Sequence, residues 1–326
     1  MKVLYVLGNY PKISESYISA ELKFMNGRDI ELGVWSQRTG SPGVIPLIPP
    51  TLGTLEEAIS SFKPDIIHVH YISTHDSFFS IIERSGKPVT VRGHSFDFSV
   101  DRVRILSARK YIRKIYLFPH MARICPFEKV VPLPVAFDSL LHQPSSSKDW
   151  NMVLRSGAAK HGKGLESFFH VAQLCPNFRF VLVANVIWGE ESYMDFLREK
   201  TMLSKGRVTF FENMPNEESA SLTRKAGIYL DTSDIDGHPF GMPVSIAESM
   251  ATGGYVLALD RMGAKEYIGD AGAIYRSSAE AARIINSMTL STKSDHEKSI
   301  DRSVLQSFKF MDTNVLPKVI NDWKSM

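Results

Sequence analysis

The strongest constraint on the fold of this chain is a repeated change of hydrophobic rhythm. Short, almost uninterrupted apolar runs alternate with stretches of helical character, and an apolar run without alternation reads as a strand buried on both faces. The first run, Val3-Leu4-Tyr5-Val6-Leu7, is stopped by Gly8-Asn9-Tyr10-Pro11 and followed by a helix-like stretch over 17–25. Further strands are expected at 30–35, 66–70 and 88–92, with helices at 55–62 and 77–84. After the polar run Gln143-Pro144-Ser145-Ser146-Ser147-Lys148-Asp149 the rhythm restarts. Strands are then expected at 152–154, 178–184, 208–211, 226–231 and 255–259, and helices at 165–174, 194–203, 244–252 and 312–324. Strands linked through helices form a parallel sheet covered on both faces, so two doubly wound α/β domains are expected. No internal repeat suggests a solenoid.

The length of 326 residues suits two such domains. The polar run at 143–149 is the best linker, which places a first domain at 1–145 and a second from 146. Cys125 and Cys175 lack a metal-ligand spacing and read as free thiols of an intracellular protein. The apolar start is too short for a signal-peptide core, and no run reaches the roughly 20 residues of a membrane-spanning helix. A cytoplasmic location is therefore expected, with peripheral contact at the inner face of the membrane left open.

The net charge of +3 is unevenly spread. Residues 1–145 hold 17 Lys and Arg against 13 Asp and Glu, and the remainder 21 against 22. Over 102–123 the bases Arg102, Arg104, Arg109, Lys110, Arg113, Lys114 and Arg123 meet no acidic residue. An excess this local does not point to nucleic acid. It reads either as the solvated face of a core helix and strand, or as a contact with anionic lipid headgroups that brings the domain to a lipid-linked acceptor.

The most informative segment is Asp236-Gly237-His238-Pro239-Phe240-Gly241-Met242-Pro243-Val244-Ser245-Ile246-Ala247-Glu248-Ser249-Met250-Ala251-Thr252-Gly253-Gly254. A Gly/Pro turn opening into a helix near Val244 offers free backbone N–H groups to an anion. Glu248, one turn inside, leans back toward that end and suits a ribose diol. A second loop, Ser156-Gly157-Ala158-Ala159-Lys160-His161-Gly162-Lys163-Gly164, joins a strand to a helix and places a lysine where it can meet a diphosphate. Neither half contains the G-x-G-x-x-G fingerprint of a dinucleotide-binding dehydrogenase.

In order and spacing these segments resemble family 4 retaining glycosyltransferases, whose pattern is G-R-x-x-x-x-K-G followed by a Gly-rich turn and E-A-M-A-x-G. Asn9-Tyr10-Pro11-Lys12-Ile13-Ser14-Glu15-Ser16-Tyr17-Ile18 is similar to the Y-P-x-x-S-E-T-F-I opening of polysaccharide-building members, and His94-Ser95-Phe96-Asp97 to their H-x-x-D element. The resemblance implies a GT-B fold, two facing Rossmann-like domains with a cleft between them. It also implies a helix over 309–326 that crosses back to the first domain, leaving 146–308 as the second. Gly8, Lys163, Gly241, Met242, Pro243, Val244 and Glu248 would bind the donor, with Glu248 on the nucleotide ribose. His94, Lys163 and His238 would be catalytic, and Ser14, Glu15 and Asp97 would lie on the acceptor side. His68 and His70 read as packing or surface residues.

The implied reaction moves a sugar from a nucleotide-sugar donor to a saccharide or lipid-linked acceptor with retention, in surface polysaccharide or glycoconjugate assembly. No cofactor or metal is implied, since Lys163 and backbone dipoles supply the positive charge. Two departures stand out: Ala158 replaces the family's arginine, and Phe240 replaces the glutamate that contacts the donor sugar. They motivate the alternative of a catalytically degenerate protein that binds a nucleotide sugar or a biosynthetic partner. A GT-B-shaped epimerase or phosphorylase is a further alternative, on fold analogy alone.

Overall fold

The computed structural model describes residues 1–41, 44–186, 191–233 and 241–326. They divide into two compact units, Met1–Ala136 together with Asp312–Met326, and Phe137–Met311. Each unit is organised on one parallel sheet.

The first sheet contains β1 (Lys2–Tyr10), β2 (Glu31–Thr39), β3 (Pro50–Thr51), β4 (Ile66–His70), β5 (Val89–Arg92), β6 (Ile112–Leu117) and β7 (Val130–Pro132). Their spatial order is β3-β2-β1-β4-β5-β6-β7. The connections carry α1 (Ser16–Met25), α2 (Leu55–Phe62), α3 (Asp76–Arg84), α4 (Val100–Ala108) and α5 (Pro119–Arg123). Val3 to Leu7 are all buried, as an apolar run covered on both faces requires. β1 does not stop at Gly8. It pairs with β2 from Lys2 opposite Glu31 to Tyr10 opposite Thr39, and this ladder carries the strand through the glycine.

In the second unit the strands are β8 (Asp149–Ala159), β9 (Arg179–Val186), β10 (Val208–Glu212), β11 (Ala226–Asp231), β12 (Tyr255–Leu259) and β13 (Gly272–Tyr275). Their order is β10-β9-β8-β11-β12-β13. Around them lie α6 (Leu165–Leu174), α7 (Glu191–Leu203), α8 (Asn216–Lys225), α9 (Val244–Ala251), α10 (Ala264–Ile268), α11 (Ser278–Ser287) and α12 (Lys293–Ser307). The core between sheet and helices is rich in Phe and aliphatic side chains, with Phe168, Phe180, Leu182 and Leu230 fully or almost fully buried.

The polar run at 143–149 lies within the second unit. The Ser145 N–H donates to the Thr252 carbonyl (3.2 Å), and Lys148 Nζ donates to the Thr223 carbonyl (3.0 Å) and to Thr252 Oγ1 (2.9 Å). Burial, with Arg224 nearby, pushes the Lys148 ammonium down to about 7. The division between the units instead follows Ala136.

The last helix, α13 (Asp312–Lys324), completes the first unit. Val315, Leu316, Val319, Ile320 and Trp323 recur at helical spacing and join the core of Tyr5, Leu7, Leu22 and Tyr116. Trp323 also donates its indole N–H to Thr90 Oγ1 (3.1 Å). Burial of a large aromatic side chain dominates such a contact, so Trp323→Ala should cost about 3–5 kcal/mol. Hydrogen exchange is the check. Residues 1–136 should lose protection in this variant while 137–311 keep theirs, although the change is at the far end of the chain.

Candidate active site

Open parallel sheets bind ligands at the carboxyl ends of the strands where the spatial order reverses. In the second unit that point lies between β8 and β11. β8 runs out into the Gly-rich loop that leads to α6. Gly164 has φ +59°, and a Cβ there would lie 2.0 Å from the Thr232 carbonyl oxygen, so the loop passes the end of β11 only with glycine. The Thr232 hydroxyl donates to the Lys163 carbonyl (3.2 Å) from the same place.

Beneath the loop Arg155 is buried among partners. It donates to the Ser156 carbonyl, the Tyr229 hydroxyl and Ser233 Oγ, each at 2.8 Å, and pairs with Asp231 Oδ1 at 3.1 Å. Ser233 Oγ donates to Asp231 Oδ1 (3.0 Å), and the Tyr275 hydroxyl donates to the Asp231 carbonyl (2.8 Å). Arg155 is thus committed inside the protein and does not replace the arginine missing at Ala158. Lys163 is half-buried beside it. Burial first, then the charges of Arg155, Lys160 and Arg261, push its ammonium down to about 8, against the opposing pull of Asp231. Arg261, just beyond β12, was not anticipated from the sequence because it belongs to no motif. Its position after a strand end at the sheet's ligand-binding edge is the signal that would have found it.

Gly241, Met242 and Pro243 lead into α9, and Met242 adopts a left-handed conformation (φ +43°) while buried. Pro243 at the N-cap supplies no side-chain cap to the first N–H groups, and its carbonyl accepts from the Tyr267 hydroxyl (3.0 Å). The Tyr229 hydroxyl lies 2.6 Å from Ser245 Oγ, so one network runs from Arg155 under the loop to the start of the helix. Glu248 sits one turn in, with His142 Nε2 3.5 Å from its Oε1. His142 comes from the segment just before the polar run, where the sequence marks no site. His238, Asp236 and Phe240 lie outside the described residues. So does Asp234-Ile235-Asp236, an Asp-x-Asp triplet that the expectation of metal independence passed over.

In the first unit the order reverses between β1 and β4. His94, following β5, is buried there, with its Nε2 3.4 Å from His70 Nδ1. Burial, then His70 and Arg92, hold the His94 imidazole well below its usual range, so it is neutral. Asp97 acts on backbone. Its Oδ1 accepts the His94 N–H (2.6 Å), and its Oδ2 accepts those of Ile72 (2.5 Å) and Ser73 (3.4 Å). Glu15 flanks the start of α1 and pairs with Lys12 Nζ (2.8 Å), while Ser14 is half-buried in the preceding turn. Gly8 lies within β1, and a Cβ there would have nothing within 4 Å. His68 and His70 are packing residues, buried against the Tyr5 ring, and not surface ones, but packing is not all they do. Both belong to a buried polar cluster with Glu21 and Arg92, which the alternation along a strand did not reveal.

The basic stretch is partly neutralised from within. Arg102 donates to the Ile72 and Thr74 carbonyls (2.8 Å each) and to Asp76 (3.0 Å). Arg109 donates to Asp76 as well (2.5 Å) and to the Tyr111 hydroxyl (3.0 Å), and Arg104 pairs with Asp101 (3.1 Å). Asp76 and Asp101 flank a stretch that is acid-free only in sequence. Among the described residues no helix is long and apolar enough to cross a membrane.

Two parallel sheets of this order in one chain make the fold GT-B. Residues 138–299, within the second unit, match the family model of glycosyl transferases group 1. Similar solved structures include HepE of Anabaena in complex with UDP-glucose, at 16% identity, a TM-score of 0.77 and full coverage of both chains. Sucrose-phosphate synthase from Thermosynechococcus elongatus is similar at 12% identity and a TM-score of 0.75, covering all of this chain and 99% of that one. A glycosyltransferase from Rickettsia africae is similar at 13% identity and a TM-score of 0.71, with 99% and 98% coverage. No curated protein sequence matches the chain. The family match and the shared fold together support a GT-B glycosyltransferase.

Asp97 gives a test of the first unit's site. Burial pushes its carboxyl up to about 7, against the pull of the amides it accepts from. A carboxyl raised above its unfolded value of about 3.9 binds a proton in the folded state, and the stability from that proton is lost as pH rises between about 4 and 7. The parent's stability advantage over Asp97→Asn should therefore shrink across that range, by up to about 4 kcal/mol. Denaturant unfolding at several pH values, followed by exchange in residues 1–136, measures it. A difference that stays flat with pH would refute the assignment.

Proposed function

We propose that this protein transfers a glycosyl group from a nucleotide-sugar donor, bound by its second unit, to a saccharide or lipid-linked acceptor with retention at the anomeric carbon. The observation that carries the reading is the convergence of two anion-binding devices on one strand-order reversal. Lys163, in a loop that only Gly164 lets close, lies in the field of Arg155, Lys160 and Arg261, and the network through Tyr229 ties that loop to the start of α9. Glu248, one turn further, suits the ribose of a nucleotide whose diphosphate rests on that helix start. In the reaction the bond from the anomeric carbon to the diphosphate breaks, and its electron pair stays with the diphosphate. The acceptor hydroxyl oxygen bonds the carbon from the same face while its proton passes to the departing diphosphate. Lys163 and the helix N–H groups stabilise the growing charge on the leaving group. His94, held neutral, offers a ring nitrogen to a sugar hydroxyl. UDP-glucose is the first donor to try, and UDP the first nucleotide, because HepE was solved with both.

Calorimetry with UDP, UDP-glucose, ADP and GDP tests the donor site. Glu248→Ala should weaken UDP binding by about 1–3 kcal/mol, the loss of a charge-assisted hydrogen-bonding group. Lys163 should give the parent a pH limb. The diphosphate selects the protonated ammonium, so affinity should fall as pH rises above about 8, and Lys163→Met should lower affinity and abolish that limb. Failure of every nucleotide to bind, or binding indifferent to both substitutions, would refute the reading. The commitment of Arg155 to Asp231, with alanine at 158, favours a second reading as a donor-binding protein without turnover. Release of UDP from bound UDP-glucose distinguishes the two.

A further inference from the structure

At the reversal of the first sheet, Glu21 of α1, His68 and His70 of β4 and Arg92 of β5 are buried together, none more than 3% exposed. Glu21 Oε1 accepts from the Tyr5 hydroxyl (3.0 Å) and lies 3.3 Å from His68 Nε2 and 3.7 Å from His70 Nε2. Its Oε2 accepts from Arg92 (3.3 Å), which also donates to the Pro134 carbonyl (2.8 Å). Neither Nε2 has a hydrogen-bond partner among the described residues, and both face the carboxylate. At their other nitrogens, His68 Nδ1 lies 2.7 Å from Thr90 Oγ1 and His70 Nδ1 lies 3.4 Å from His94 Nε2.

A carboxylate facing an imidazole nitrogen selects the tautomer that puts hydrogen there, since a bare lone pair would be repelled. Burial opposes the charge of Glu21, but the two imidazoles and Arg92 hold its carboxyl well below the usual range, and burial keeps His70 from taking a second proton until about pH 4. His70 therefore carries its hydrogen on Nε2 and leaves Nδ1 as an acceptor. His94 Nε2 faces that acceptor and must be the donor. Around His94 the other rings are Tyr17, Tyr71, Phe96 and Phe118, the Tyr17 and Tyr71 hydroxyls bond each other (3.2 Å), and Asp97 is engaged with its backbone N–H.

We propose that Glu21 is a positioning residue that acts through His70 to lock His94 in its Nε2–H tautomer, reserving Nδ1 to accept a hydrogen bond from a sugar or acceptor hydroxyl. The catalytic part rests on the transferase reading above, but the tautomer does not. Glu21, His68 and His70 also have the spacing of cation ligands, their ligand atoms lying within 4.8 Å of one another. Arg92 already supplies the counter-charge, and a dication there would add buried charge without compensation.

The experiment is nitrogen-15 NMR of histidine-labelled full-length protein at neutral pH. In the parent, His70 and His94 should each show hydrogen on Nε2 and a bare Nδ1. An Nδ1–H tautomer at His94 overturns the proposal whether or not the protein transfers sugar. Glu21→Gln keeps the shape and removes the charge, and should convert the His94 signals to a tautomer mixture. With a donor found, this variant should lower kcat by about 10- to 100-fold with little change in donor KM, and should add no further loss in a His94→Ala background. An unmoved tautomer, or independent and multiplicative losses, would overturn it. Should Glu21→Gln fail to fold, Glu21→Gln combined with Arg92→Met removes both buried charges and makes the same comparison. One zinc ion per purified parent chain that is lost in Glu21→Gln would make the three side chains ligands and also refute the proposal.

Discussion

Each unit buries one guanidinium–carboxylate pair beside the reversal of its sheet, and much of the surrounding structure follows from the need to keep that pair satisfied. In the first unit it is Arg92 with Glu21, and in the second Arg155 with Asp231. An ion taken out of water costs several kcal/mol unless its partner and remaining hydrogen-bonding groups are in place. The hydroxyls of Tyr5, Tyr229 and Ser233 and the carbonyls of Pro134 and Ser156 meet most of that requirement, leaving Arg155 Nε and Asp231 Oδ2 without a hydrogen-bond partner among the described residues. Those groups come from different strands and loops. Their convergence fixes the carboxyl ends of the strands, where ligands of such sheets bind.

The two pairs leave different chemistry at the surface of each site. Around Arg155 the nearby charges are mostly positive, and after burial they lower the proton affinity of Lys163. Near Arg92 burial holds the imidazoles of His70 and His94 below their usual range and so neutral. On the proposed function, a few side chains would thus assign anion binding and hydroxyl recognition to two domains of the same topology.

Much of the fold was legible in the sequence because strand burial on both faces leaves an unmistakable apolar run. The strands Ile66–His70, Ala226–Asp231 and Tyr255–Leu259 and the helices Leu55–Phe62, Leu165–Leu174 and Asp312–Lys324 have the expected limits. Where a ladder outlasts its apolar run, as in β1 beyond Gly8, the pattern stops short of the strand. The polar run at 143–149 misled for a related reason, since Lys148 and Ser145 make buried or backbone bonds that composition does not announce. At the candidate site, the placement of Lys163 in the loop before α6 and of Glu248 one turn inside α9 was legible from spacing. Glu21, His142 and Arg261 were not, because each is brought into place only by tertiary contacts between distant segments.

The first unit is discontinuous, since its core is closed by a helix made after the whole of Phe137–Met311. During synthesis, therefore, β1 to β7 emerge without Trp323 and Leu316, and their buried histidines and tyrosines wait against an unfilled groove. The second unit is contiguous and has no such delay. Domains usually mature in the order in which they are made, but in this chain the earlier half is the later to finish. Its groove stays open until α13 has been made.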